Sequence, residues 1–183
     1  MNIEIVSGSP RKGSVTFRLA IFLKKIIQER TNHTVNILDV REWNFPALQE
    51  QVYSSVENTP EHYKPLAQRM FGANAFIIVT PEYNGSYTPS MKNIFDHFPK
   101  QLHKPFGIAT ASTGAMGGMR ASQQIQLLVA ALFGIASPYM LITPQVDKKF
   151  DPAGNMIDES FSNSVNTFLA EFLWLAESLV DEC

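Results

Sequence analysis

The sequence predicts a three-layer α/β sandwich around a five-stranded parallel sheet in the order 2-1-3-4-5. Three observations predict it. Five short apolar or β-branched runs alternate with stretches of helical periodicity. The third run, Ala75-Phe76-Ile77-Ile78-Val79, is continuously apolar, as in a strand buried on both faces. The chain has 183 residues, 45% hydrophobic and 17% charged, which suits a single domain over 1–183 with a substantial core.

Ile3 to Val6 reads as the first strand. Helical spacing follows from Ser14 to Arg30, with Thr16, Ala20, Leu23 and Ile27 on one face, widened by Leu19 and Ile26. Val35 to Leu38 is the second strand. A long irregular stretch then begins at Trp43-Asn44-Phe45-Pro46 and runs to Asn58. Its two aromatics either cover a ligand or plug the core. Thr59-Pro60 signals a helix start, Thr as N-cap and Pro as first helical residue, and Gly72 closes that helix after Phe71. Thr88-Pro89 repeats the start signal after the third strand, and Met91, Ile94, Phe95 and Phe98 form the next helical face. Phe106 to Ala109 is the fourth strand. A glycine-rich loop leads into a helix through Leu132, closed by Gly134. Tyr139 to Ile142 is the fifth strand, and Asp151 to Asn155 is a turn by composition. From about Asp158 the last helix buries Phe161, Val165, Phe168, Phe172, Leu175 and Leu179.

Composition excludes several partners. The net charge is −2, and Lys and Arg form no run suited to nucleic acid. No stretch approaches about 18 apolar residues, so neither a membrane span nor a signal peptide is expected. One cysteine, Cys183, excludes an internal disulfide and fits a reducing, cytoplasmic setting; as a terminal residue it is expected to fray. No His, Cys, Asp or Glu cluster has metal-ligand spacing, and His97 reads as a surface or core residue.

Right-handed crossovers and the 2-1-3-4-5 order reverse the chain between strands 1 and 3, opening a crevice at the carboxyl edge of the sheet. The loops after strands 1, 3 and 4 converge there, and they are the three unusual stretches of the sequence. The first, Ser7-Gly8-Ser9-Pro10-Arg11-Lys12-Gly13-Ser14, offers backbone amides, hydroxyls, two cations and a helix N-terminus, all suited to a phosphate monoester. It matches neither the nucleotide P-loop nor G-x-G-x-x-G, and an ordinary βα turn has the same composition. In the second, Thr80 to Tyr87, Tyr83 offers a stacking face, Asn84 a donor and an acceptor, and Gly85 close backbone approach; Pro, Asn and Gly also suit a plain turn. The third, Ser112-Thr113-Gly114-Ala115-Met116-Gly117-Gly118, aims amides at a polar ligand edge. Arg120 beyond it either meets a phosphate of a second ligand or covers surface.

Gly8-Ser9-x-Arg11-x-x-Ser14, then Pro81-Glu82-Tyr83-Asn84 with Lys92-Asn93, then Gly117-Gly118-x-Arg120 resemble the motifs of the NAD(P)H-dependent FMN reductase family. The tail, Lys149-Phe150-Asp151 to Gly154 and Asp158-Glu159, is similar as well. Thr16 stands where the family usually has Asn, and Gly85 to Ser90 departs from its usual small-residue Pro-Gly pattern. The resemblance implies a flavodoxin-like fold binding FMN non-covalently, as a homodimer or homotetramer. It implies that Ser9, Arg11, Ser14, Val15 and Thr16 hold the FMN phosphate, that Pro81, Glu82, Tyr83, Asn84 and Gly85 lie along the isoalloxazine and ribityl, and that Ser112, Thr113 and Gly114 approach the pyrimidine side. Extra apolar residues Ile21 and Phe22 agree with an oligomer.

The expected activity is hydride transfer from NADPH or NADH to bound flavin, then reduction of a quinone, azo compound, metal oxyanion or free flavin. No catalytic base is expected, because the cofactor carries the chemistry. Two other readings stand beside it. One is a one-electron carrier like flavodoxin, against which the small net charge argues. The other is a flavin-binding regulatory protein without turnover.

Overall fold

The computed structural model describes residues 1–48 and 52–180. Cys183 lies outside the described residues. Six parallel strands, β1 (Asn2–Ser7), β2 (Thr34–Asp39), β3 (Ala75–Thr80), β4 (Pro105–Ala111), β5 (Ile135–Ala136) and β6 (Leu141–Thr143), form one sheet. Their order is β2-β1-β3-β4-β5, with β6 also on β4, the 2-1-3-4-5 order expected from the sequence. The fifth position is filled in two pieces. β5 pairs with Pro105-Phe106 and β6 with Ala109 to Ala111. Pro138 lies between them and cannot donate to the ladder, so pairing lapses there.

Alternation along the strands sorts two cores. Ile3, Ile5, Ile77, Val79 and Ala109 face α1 (Thr16–Arg30) and α6 (Ser162–Val180), meeting Leu19, Leu23, Ile27, Phe168 and Phe172. Val6, Phe76, Ile78, Phe106 and Ile108 face α2 (Lys64–Gly72), α3 (Pro89–His97) and α4 (Met119–Ala131), meeting Leu66, Met70, Met91, Phe95 and Ile125. A short α5 (Val146–Lys149) follows β6.

Several boundaries differ from the sequence expectation. Glu61–Tyr63 is a 3-10 turn, and α2 begins only at Lys64. Pro65 explains this: inside a helix begun at Pro60 it would break the hydrogen-bond ladder, whereas in the first turn it costs nothing. Thr59 therefore caps nothing there; its buried hydroxyl donates to the Ser55 carbonyl at 2.8 Å. Thr88 does cap α3, accepting from the Met91 amide at 3.3 Å. Gly72 is the last residue of α2 and Ala73 its cap. At the end of α4 the left-handed residue is Phe133 (φ +61°), not Gly134. Gly134 is needed for space, since a Cβ there would stand 2.5 Å from the Phe106 ring. Asp158 caps a 3-10 turn, Glu159–Phe161, ahead of α6.

Phe22 and Ile21 pack within their own chain. The Phe22 ring lies 4.8 Å from that of Phe150, and Gly154 sits where a Cβ would meet Ile21 at 2.6 Å. They give no support to an oligomer. Among the described residues no helix is long and apolar enough to cross a membrane.

Candidate active site

Register aligns the carboxyl ends of the strands: Ser7 lies beside Asp39 and Val79, Thr80 beside Thr110, and Ala111 beside Thr143. The loops leaving β1, β3 and β4 therefore emerge side by side.

The first loop leaves β1 with the Gly8 amide donating to the Val79 carbonyl at 2.8 Å, while Thr88 Oγ1 donates to the Gly8 carbonyl. A Cβ at Gly8 would stand 2.9 Å from Thr80 Oγ1 and 3.0 Å from Met91 Sδ, so this closeness requires glycine. Ser14 Oγ accepts from the Phe17 amide at 3.3 Å and serves the start of α1. The first-turn amides beside it have no intrahelical acceptors and mark the positive end of the helix. Thr16 Oγ1 donates to the Ala111 carbonyl at 3.5 Å, joining the first loop to the third.

The second loop closes as a tight turn. The Tyr83 amide donates to Ser86 at 2.7 Å and the Ser86 amide back to Tyr83 at 3.0 Å. Asn84 (φ +51°) and Gly85 (φ +85°) occupy the two central positions, the pairing that a type I′ turn demands. Tyr83 is thereby held at the cleft, and its hydroxyl accepts from Arg11 Nε at 3.1 Å. Glu82 Oε2 accepts from the Arg120 amide at 3.2 Å, capping the first turn of α4. Its other oxygen lies 3.6 Å from the Arg120 guanidinium. Arg120 is thus a partner of Glu82 on an exposed surface.

In the third loop, Gly117 (φ +60°) and Gly118 (φ +85°) turn the chain into α4. A Cβ at Gly117 would lie 2.7 Å from the Pro144 nitrogen. The Gly114 carbonyl is used internally, accepting from Ser112 Oγ at 3.3 Å and from the Gln145 amide at 3.2 Å.

Between the loops lies a cleft of about 270 Å³. Ser9, Arg11, Ser14, Val15, Thr16, Pro81, Glu82, Tyr83, Ser112 and Thr113 line it together. Asn84, Gly85 and Gly114 do not: the first two form the tip of the turn, and the third is folded into its own loop. Gly13 and Ala111 also line the cleft. Gly13 belongs to the first loop, and Ala111, the last residue of β4, has no polar side chain to mark it in the sequence.

A separate hollow of about 580 Å³ is lined by Pro46, Ala47, Leu48, Tyr53, Tyr63 and His97 and takes nothing from these loops. Phe45 stacks on Tyr63 at 4.0 Å and lies 4.5 Å from the His97 ring; Trp43 packs on the core beneath α3. Both aromatics serve packing and neither lines the cleft. His97 is buried with Nδ1 2.7 Å from the Asn93 carbonyl, which makes it the core residue of the two placements the sequence leaves open. Among the described residues no group of three His, Cys, Asp or Glu side chains could hold a metal.

A family model described as NADPH-dependent FMN reductase matches residues 1–145. An FMN-dependent NADPH-azoreductase of Staphylococcus saprophyticus is 34% identical over 154 residues, 80% of this chain and 79% of that protein. A quinone reductase of Escherichia coli is 29% identical over 181 residues, 94% of this chain and 93% of that one. Among solved structures, FerB, a flavoenzyme NAD(P)H:(acceptor) oxidoreductase from Paracoccus denitrificans, superposes with a TM-score of 0.79 at 22% identity, covering 97% of each chain. A flavodoxin mutant from Pseudomonas aeruginosa superposes at 0.56 with 16% identity, covering 98% of this chain and 97% of that one. These two likenesses speak to the fold.

Proposed function

The chain belongs to the NADPH-dependent FMN reductase family, and on that premise we propose that the three-loop cleft is where FMN binds and where NAD(P)H and a small acceptor meet it. Membership makes the protein an FMN-dependent NAD(P)H oxidoreductase. The observation that carries the site is the convergence of ten sequence-selected residues from three distant loops on one cleft at the sheet's carboxyl edge.

The residues present fit the cofactor. Ser9 and Ser14 supply hydroxyls at the positive end of α1, and Arg11 adds a cation, a donor set for a phosphate dianion; Thr16 lines the same end with its own hydroxyl turned to the Ala111 carbonyl. Tyr83 presents an aromatic face stiffened by the turn behind it and by Arg11 in front. Among the described residues the Thr113 and Gly114 amides donate to no protein acceptor, so they are free to stabilise negative charge at a polar ligand edge. FMN, when bound, supplies the hydride-accepting and electron-donating chemistry. The chain's own work is binding, orientation and electrostatics, and no side chain is assigned as an acid or base.

The acceptor is a quinone, azo compound, metal oxyanion or free flavin. The azoreductase and quinone reductase relatives favour the first two. The protein acts in the cytoplasm as a homodimer or homotetramer. Met116, Met119 and Leu127, at the start and along the outer side of α4, are large apolar side chains left exposed, and a second copy would cover them. Sedimentation at micromolar concentration tests the assembly, and a monomer refutes it.

Anaerobic stopped-flow mixing of the FMN-loaded protein with NADPH tests the activity. Rapid loss of flavin absorbance is expected, followed by its return when a quinone is added. No loss with either NADPH or NADH overturns the reading.

A further inference from the structure

The end of β2 carries a charged pair that none of the three loops contains. Asp39 is buried beside Ser7, the last residue of β1. It receives Arg41 through the backbone amide at 3.0 Å, through Nε at 2.9 Å to each carboxylate oxygen, and through Nη2. The fork is fully engaged, and Asp39 holds the Arg41 pKa above its ordinary value. Two contacts then lead to the first loop. Arg41 Nη1 donates to the Lys12 carbonyl at 3.2 Å, and the guanidinium carbon stands 4.5 Å from the centre of the Phe17 ring in the first turn of α1.

We propose that Arg41, clamped by Asp39, is a positioning residue that fixes the phosphate-binding conformation of the first loop. The inference rests on the placement of the FMN phosphate at that loop. Lys12 sits at the crest between Arg11 and Gly13, and a Cβ at Gly13 would meet nothing within 4 Å. The loop has little packing of its own at this point, so a hydrogen bond to the Lys12 carbonyl decides where the neighbouring amides aim. The Phe17 contact sets the same guanidinium against α1, so loop and helix start are registered to one rigid group. The pair also solves an electrostatic problem. A buried carboxylate near an anion site would repel a phosphate, and Arg41 cancels that charge at contact distance.

Arg41→Ala and Arg41→Lys test the role through a phosphate-specific readout. Lysine keeps the charge but cannot grip Asp39 and reach Lys12 at once. Binding of FMN and of riboflavin, which lacks the phosphate, is followed by fluorescence quenching, with amide hydrogen exchange of residues 8–14 measured in the apo-protein. The expected result is an FMN affinity about tenfold weaker in Arg41→Ala, riboflavin affinity within about twofold of wild type, and faster exchange in the loop. Arg41→Lys follows the same pattern with a smaller loss. Equal weakening of both ligands, or unchanged exchange, overturns the proposal, because a merely structural residue would move both affinities together. A wild type that binds FMN no better than riboflavin overturns the phosphate cradle itself. A wild type with that preference and a variant that keeps it overturns only the role of Arg41.

Discussion

Arg11 Nε donates to the Tyr83 hydroxyl at 3.1 Å, and its guanidinium carbon stands 5.4 Å from the centre of the same ring. One bond thus joins the first and second loops across the cleft, and the terminal nitrogens of the fork keep no partner among the described residues. Arg11→Ala is expected to weaken FMN binding by roughly 1–3 kcal/mol, the range for a charge-assisted hydrogen bond. Tyr83→Phe keeps the stacking face and deletes only the acceptor, so its loss is smaller, about 0.5–1.5 kcal/mol. Fluorescence quenching of FMN reads both. Unchanged affinity in Arg11→Ala removes that residue from the phosphate site.

The third loop depends on a backbone shape that only glycine takes cheaply. Gly117 has φ +60°, and an added Cβ would lie 2.7 Å from the Pro144 nitrogen and 2.8 Å from Ile142 Cγ2. The first neighbour is backbone and cannot swing aside. Gly117→Ala should therefore cost about 1–3 kcal/mol of stability in urea denaturation. Gly13→Ala is the contrast, with open space around it and an ordinary φ; it should stay within about 0.5 kcal/mol of wild type. Equal effects would show that space and dihedral do not separate these two glycines.

The sheet and the cleft were legible because their signals are local. An apolar run such as Ala75–Val79 has strand length and β-branched content, and strand order then brings three loops together without any knowledge of side-chain contacts. Asn84-Gly85 shows the reverse. The pair suits a ligand-facing loop and a plain turn alike; its dihedrals build the turn that aims Tyr83, and composition does not separate the two roles. The helix start at Lys64 follows from Pro65, against the cap-like Thr59-Pro60 pair on which the sequence expectation rests. Arg41 was not legible. Its meaning arises from a buried carboxylate two residues before it and a carbonyl 29 residues away, and nothing in the sequence links the three.

Glu4 lies buried on β1 and takes a two-pronged bond from Arg69 on α2, Nε at 3.2 Å and Nη2 at 2.6 Å. None of the cleft residues takes part. Arg69→Met leaves a buried carboxylate without a partner and is expected to cost about 3–5 kcal/mol. Adding Glu4→Gln removes the orphaned charge and should recover most of that loss. Urea denaturation of both variants checks this, with FMN affinity unchanged as the control. A single variant as stable as wild type would show that the pair carries no net strength.

Lys104 gives the fold a pH dependence of unusual sign. Its Nζ is drawn in beneath α2, donating to the Met70 carbonyl at 2.9 Å, to Phe71 at 3.2 Å and to Gln101 Oε1 at 3.0 Å. Burial lowers its pKa from 10.5 to about 8. Below pH 8 the folded and unfolded chains both carry the proton, and the native state bears the cost of burying the charge. Between pH 8 and 10.5 the native lysine has lost its proton while the unfolded one keeps it. The unfolded state then binds more protons, so this group adds stability as pH rises through that window. Lys104→Met has no such group, so the stability of wild type relative to the variant should grow over that interval. Urea midpoints of both proteins at several pH values measure the difference, and a difference that stays flat with pH would mean that Lys104 titrates at its ordinary value.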